Sequence, residues 1–144
     1  MADTGDIRRV IPEIEKRIRQ AMQETVEKTA QYAESQLSKL FKTEGRSLNV
    51  NWSPLKEAYL RQKIKKGYSE KILHRTTTLA QSFTSQIREF SAVVGTPVWY
   101  APFHEEGTRK MPARPFMQPV MEHILATDVI KRFFKRALKD VSRT

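Results

Sequence analysis

Cysteine is absent from the 144 residues, which excludes a disulfide scaffold, thiol catalysis and every cysteine-ligated metal site. No apolar run approaches the roughly 18 residues of a membrane-span candidate. The opening Met1-Ala2-Asp3-Thr4-Gly5-Asp6 carries acids where a secretory signal needs positive charge. A soluble, unprocessed chain with no membrane partner is therefore expected. Glycine is scarce, with five residues, and neither a Gly-x-Ser-x-Gly elbow nor a Gly-rich phosphate cradle is present, so hydrolase and nucleotidase readings have no support. His104-Glu105-Glu106, His74 and His123 are metal-capable, but none has the His-x-x-x-His spacing of a helical zinc site. The sequence thus predicts no enzyme, no cofactor and no metal.

Acidic residues are the minority, 16 Asp and Glu against 26 Lys and Arg, for a net charge of +10. Two segments carry most of that excess. Arg61, Lys63, Lys65, Lys66, Lys71 and Arg75 face Glu70 alone, while Lys131, Arg132, Lys135, Arg136, Lys139 and Arg143 stand against Asp128 and Asp140. Such patches suit nucleic acid, an acidic protein or an anionic surface, and charge does not choose among them. With 39% hydrophobic residues, the chain is long enough for one core and one domain.

Apolar residues at Ile11, Ile14, Ile18, Met22, Val26, Ala33, Leu37 and Leu40 recur at steps of three and four, with Thr29 in the gap. They predict an amphipathic helix with Pro12 in its first turn and a stop at Gly45. Such a helix spans roughly 45 Å at 1.5 Å per residue. Either another subunit covers part of its stripe, or it breaks near residues 25–29. Ser53-Pro54 predicts the start of a second helix running to about Lys66 and ending at Gly67. Residues 83–90 and 92–94 predict an antiparallel hairpin. A loop over 107–119 holds three of the seven prolines. A terminal helix follows over 120–141, with Val120, Ile124, Thr127, Ile130, Phe134, Leu138 and Val141 on one face. The fold class is α+β: a long N-terminal helix and a C-terminal helix packed with a small antiparallel sheet. A single domain, 1–144, divides into a basic helix-rich part (1–75), a small sheet with a Pro-rich loop (76–119) and the C-terminal helix.

Basic residues interleaved with Tyr59, Tyr68, Phe133 and Phe134 provide what a groove tracking a nucleic-acid backbone needs. The preferred reading of the same residues is a solvated basic face with both phenylalanines on the buried stripe.

The segment from Tyr100-Ala101-Pro102-Phe103-His104-Glu105-Glu106-Gly107-Thr108 through Arg109-Lys110-Met111-Pro112-Ala113-Arg114-Pro115-Phe116-Met117 resembles the hallmark of the tail-completion and minor tail proteins of long-tailed bacteriophages, with their Mu-like virion morphogenesis relatives. Upstream, Trp52-Ser53-Pro54-Leu55 with Tyr59, Lys63 and Gly67 is similar to the family's Trp-x-Pro-Leu helix. Ile72-Leu73 and Arg75-Thr76-Thr77-Thr78-Leu79 with Ser82 are similar to its Ile-Leu-x-x-Thr-Gly-x-Leu-x-x-Ser stretch, except that Thr77 or Thr78 stands where many relatives have glycine. The resemblance implies a structural virion protein of the neck, an α+β fold, and a ring of copies, often sixfold in the family, between head connector and tail terminator or tail tube. DNA passing through the lumen is the further partner it implies.

In this segment Gly107 can take a positive φ, and Pro112 and Pro115 stiffen the loop around Arg114. Core packing is expected for Phe116 and Tyr100, and a structural part in the motif for Trp52, Leu55 and His104. Arg109, Lys110, Met111 and Arg114 are the expected partner contacts. Arg114 has two readings, an ion pair inside the subunit or a bidentate pair with a neighbour's carboxylate.

Overall fold

The computed structural model describes residues 4–67 and 78–142. Helix α1 (Thr4–Lys42) runs unbroken for 39 residues. The threonines expected to weaken it stay helical because each hydroxyl bonds the carbonyl one turn back. Thr25 Oγ1 donates to the Ala21 carbonyl and Thr29 Oγ1 to that of Thr25, both at 2.7 Å. The helix begins well before the expected start, so Pro12 lies inside it rather than in its first turn. Asp6 in the first turn complements the positive helix end, and Ile7 and Val10 continue the apolar stripe. The N–H that proline lacks costs least here, where the surrounding residues are exposed and water can serve the freed carbonyl.

At the other end the Gly45 stop holds. Gly45 takes φ 93° and donates its N–H to the Leu40 carbonyl at 2.9 Å. A Cβ there would collide with the Val50 carbonyl oxygen.

Helix α2 (Glu57–Lys65) starts three residues later than Ser53-Pro54 predicts. A helix starting at Pro54 would use the Ser53 and Pro54 carbonyls for its first bonds. Both instead accept from Arg114, so residues 54–56 stay non-helical. The helix ends at Gly67, φ 77°, as expected. Half of the basic segment around it, including Lys71 and Arg75, lies outside the described residues, as do Tyr68, His74 and the Ile72-Leu73 and Thr76-Thr77 positions.

Strands β1 (Thr84–Arg88) and β2 (Ser91–Gly95) pair antiparallel, Thr84 opposite Gly95 and Arg88 opposite Ser91. Phe90 turns the hairpin at φ 56°, and Gln23 of α1 holds that turn. Its amide accepts from the Phe90 N–H at 2.9 Å and donates to the Arg88 carbonyl at 3.0 Å. Ser85 also donates to Glu34 of α1 at 2.7 Å, so the small sheet lies against the long helix.

After the six-residue helix α3 (Ala101–Glu106) the chain ends in two helices, not one: α4 (Met117–Ala126) and α5 (Val129–Ser142). The apolar period runs through Thr127 and hides the break. Thr127 is extended, φ −107° and ψ 167°, and the Asp128 carbonyl already accepts from the Arg132 N–H at 2.8 Å, so Thr-Asp ends one helix and starts the next. The split lets α4 bury Val120 and Ile124 in the main core while α5 packs along α1 through Val129 and Ala137.

The core centres on Phe41, Phe83 and Phe116, whose ring centroids lie 5.5–5.6 Å apart. Leu37, Leu40, Trp52, Leu79, Ala101, Val120 and Ile124 surround them. The first turns of α1 stand outside it: Ile7, Val10, Ile11, Ile14, Ile18 and Met22 are 40–59% exposed.

Candidate functional site

The motif segment folds into a lock that ties three distant stretches together. Gly107, at φ 78° and ψ 171°, ends α3, and a Cβ there would come within 2.7 Å of the Ala113 nitrogen. The chain makes a tight turn in which Thr108 and Met111 exchange backbone hydrogen bonds of 2.8 and 3.3 Å, leaving Arg109 and Lys110 exposed at the tip. It then returns past α3, where the Arg114 N–H donates to the His104 carbonyl at 2.7 Å.

The Arg114 guanidinium points inward. Its Nε donates to the Ser53 carbonyl at 2.9 Å and its Nη2 to that of Pro54 at 3.4 Å, and the residue is 7% exposed. Burial pushes this guanidinium below its ordinary value and nearby Tyr59 works against that shift. Neither sequence reading of Arg114 anticipates this. Its fork is spent on two backbone carbonyls, which corrects the picture of an arginine presented to a neighbour.

Glu105 closes the lock. Its carboxylate accepts from the Phe116 N–H at 2.8 Å and the Met117 N–H at 2.7 Å, satisfying two donors at the start of α4, where negative charge is also favoured by the helix dipole. The Trp52 indole N–H donates to the Pro115 carbonyl at 2.8 Å while its ring packs edge-on against Phe41. Phe116, 1% exposed, fills the core between these bonds. Leu55 and Tyr100 are half-buried against the same core, and Tyr100 meets the His104 ring edge-on. Burial, and secondarily the Arg114 charge, lower the pKa of His104, whose Nδ1 is buried without a hydrogen-bond partner among the described residues.

Of the expected contact residues, Arg109 and Lys110 are exposed, Met111 is half-buried and Arg114 is internal. The largest exposed side chain near the lock is Trp99, 78% exposed, with Phe103 at 46% and its ring 6.1 Å away. Met121 and Leu125 of α4, 50% and 72% exposed, form a second apolar pair. The five cations Lys131, Arg132, Lys135, Arg136 and Lys139 are all exposed on α5, whereas Phe133 is half-buried with its ring against Tyr32. Among the described residues no group of three or more His, Asp or Glu side chains is arranged to hold a metal ion, and no helix is long and apolar enough to cross a membrane.

The arrangement defines an α+β scaffold whose signature residues hold backbone to backbone. Residues 2–128 match the phage virion morphogenesis family, and the chain belongs to it. It is also similar to an uncharacterized protein of Methanocaldococcus jannaschii, 32% identical over 95 residues that make up 58% of this chain and 70% of that protein. No solved structure matches. Family membership makes this a virion-associated, structural protein.

Proposed function

We propose that the protein is a neck or tail-completion subunit. Copies form a ring, six in number by resemblance to the family, that joins head connector to tail terminator or tail tube during assembly in the host cytoplasm. The observation that carries this reading is the locked motif: it holds the backbone rigid while two unlike apolar pairs, Trp99 with Phe103 and Met121 with Leu125, and the Arg109-Lys110 tip all remain exposed. Unlike surfaces meeting head to tail close into rings when the rotation permits. Aromatic and arginine side chains are the commonest energetic centres of such contacts. A reconstruction of virions carrying this chain tests the reading: a ring at the head–tail junction supports it, and a place in the capsid shell or tail fibres overturns it.

The exposed cations of α5 favour a sequence-independent contact with DNA as a secondary property, or as the main one if the chain acts as a nucleic-acid-binding protein through this face and that of residues 61–75. The half-buried Phe133 argues for phosphate contacts rather than base stacking. Affinity for duplex DNA then falls with salt, log K dropping by about 0.9 per phosphate neutralised per decade; selective binding that survives high salt contradicts this.

A further inference from the structure

We propose that the projecting start of α1 pairs, antiparallel, with the same segment of a second copy of this chain. The pairing goes beyond the neck reading and does not depend on it: a twofold pair inverts one copy relative to the other, so it belongs to the free chain and is released when copies close head to tail into a ring. Six side chains, Ile7, Val10, Ile11, Ile14, Ile18 and Met22, stand 40–59% exposed in a row. They present about 500 Å² of apolar surface, at the upper end of what a soluble monomer leaves uncovered. Two such faces together bury about 1,000 Å², the size at which specific interfaces begin.

The spacing identifies the occupant. Ile7, Ile11, Ile14 and Ile18 advance by four, three and four residues, the seam of a two-helix contact, and Ala21 and Thr25 continue it into the part that the globule covers. A twofold axis between Ile11 and Ile14 sets Ile11 against Ile14 of the second copy and Ile7 against its Ile18. In this register Thr4 of one copy falls opposite Ala21 of the other, the first residue buried by the globule. The whole projecting segment is used and the two globules lie at opposite ends.

Charge selects the same orientation. On the flank of the seam Arg8 faces Glu15 of the second copy, twice by symmetry. On the other flank Arg17 faces Val10 of the second copy, so the antiparallel pair has one charge-matched flank, whereas a parallel pair has none: Glu15 would face Val10 and Arg17 would face Met22. Opposed helix dipoles add in the same direction. Ile11, Ile14, Ile18 and Met22, with Phe90 of the hairpin turn, line a groove that has Glu15 and Arg19 at its edge. The end of the second helix carrying Arg8 would enter there.

The absence of cysteine makes disulfide trapping on the full chain a clean test. A mixture of Ile7→Cys and Ile18→Cys chains should cross-link, and neither variant alone should. Self-linking of Ile7→Cys overturns the antiparallel arrangement. In sedimentation, Ile11→Asp should raise the dimer dissociation constant by about a hundredfold or more, since a charge replaces a buried isoleucine on both copies. At concentrations where both chains are monomeric it should leave the thermal melt unchanged, because Ile11 is exposed in the single chain. Arg8→Glu should weaken pairing, and adding Glu15→Arg should restore it. A wild-type chain that remains monomeric at about 100 µM, or a dimer indifferent to Ile11→Asp, overturns the proposal.

Discussion

Arg114 shows how a motif residue can be read correctly as important and incorrectly as exposed. Its partners are the backbone carbonyls of Ser53 and Pro54, some sixty residues away in sequence, and carbonyls leave no mark in a sequence as a carboxylate would. Arg114→Ala should therefore destabilise the isolated subunit by about 1.5–3 kcal/mol, since it removes the charged hydrogen bonds that tie this segment to the Ser53 and Pro54 carbonyls. A thermal melt checks this, with Arg109→Ala, at the exposed tip, expected to melt like wild type. Phe116→Ala should cost about 3 kcal/mol or more by leaving a cavity beside Phe41 and Phe83. His104 gives the same site a pH dependence. Its folded pKa lies below the ordinary 6.5, so between those two values the unfolded chain binds more protons than the folded one. Stability is fully present above 6.5 and falls as pH drops toward the lowered value, and His104→Gln should flatten that part of the stability–pH curve.

At the scale of elements, the helix stops and the hairpin were legible because they depend on local chemistry. Gly45 and Gly67 take positive φ where the apolar pattern ends, and β-branched residues flank a short turn. Boundaries set by competition were not. The start of α2 is displaced by Arg114 claiming its first carbonyls, and the gap between α4 and α5 is hidden by an apolar period that runs through Thr127. The start of α1 was misplaced because Pro12 is a strong first-turn signal, yet an exposed helix tolerates it further in. Pro12→Ala should accordingly slow amide exchange through the first turns of α1, the proline being about 3 kcal/mol less favourable than alanine inside a helix. Gly107→Ala should loosen the lock, because positive φ and the approach of the Ala113 nitrogen both oppose a side chain. The expected result is an unfolding free energy lowered by about 1–3 kcal/mol, read by denaturant titration.

For the whole molecule, the α+β architecture followed from periodicity, whereas the lock did not. Tryptophan, glutamate, arginine and phenylalanine that act together are scattered between Trp52 and Phe116, and only the folded backbone brings Trp52 to Pro115 and Glu105 to Met117. The exposed surfaces carry the test of assembly. Trp99→Ala with Phe103→Ala should reduce the yield of infectious particles in a complementation assay while leaving the melt of the subunit nearly unchanged, since neither side chain is buried. Normal yield would remove this pair from the contact surface. The projecting part of α1 has a mechanical consequence as well. A rod standing about 25 Å clear of the body that anchors it, at 1.5 Å per residue, is a lever. A tilt of the body by about 10° sweeps its tip through about 4 Å, on the order of a helix radius with its side chains. Small rotations of the subunit are thus magnified at its far end, where a distance label would register them most clearly.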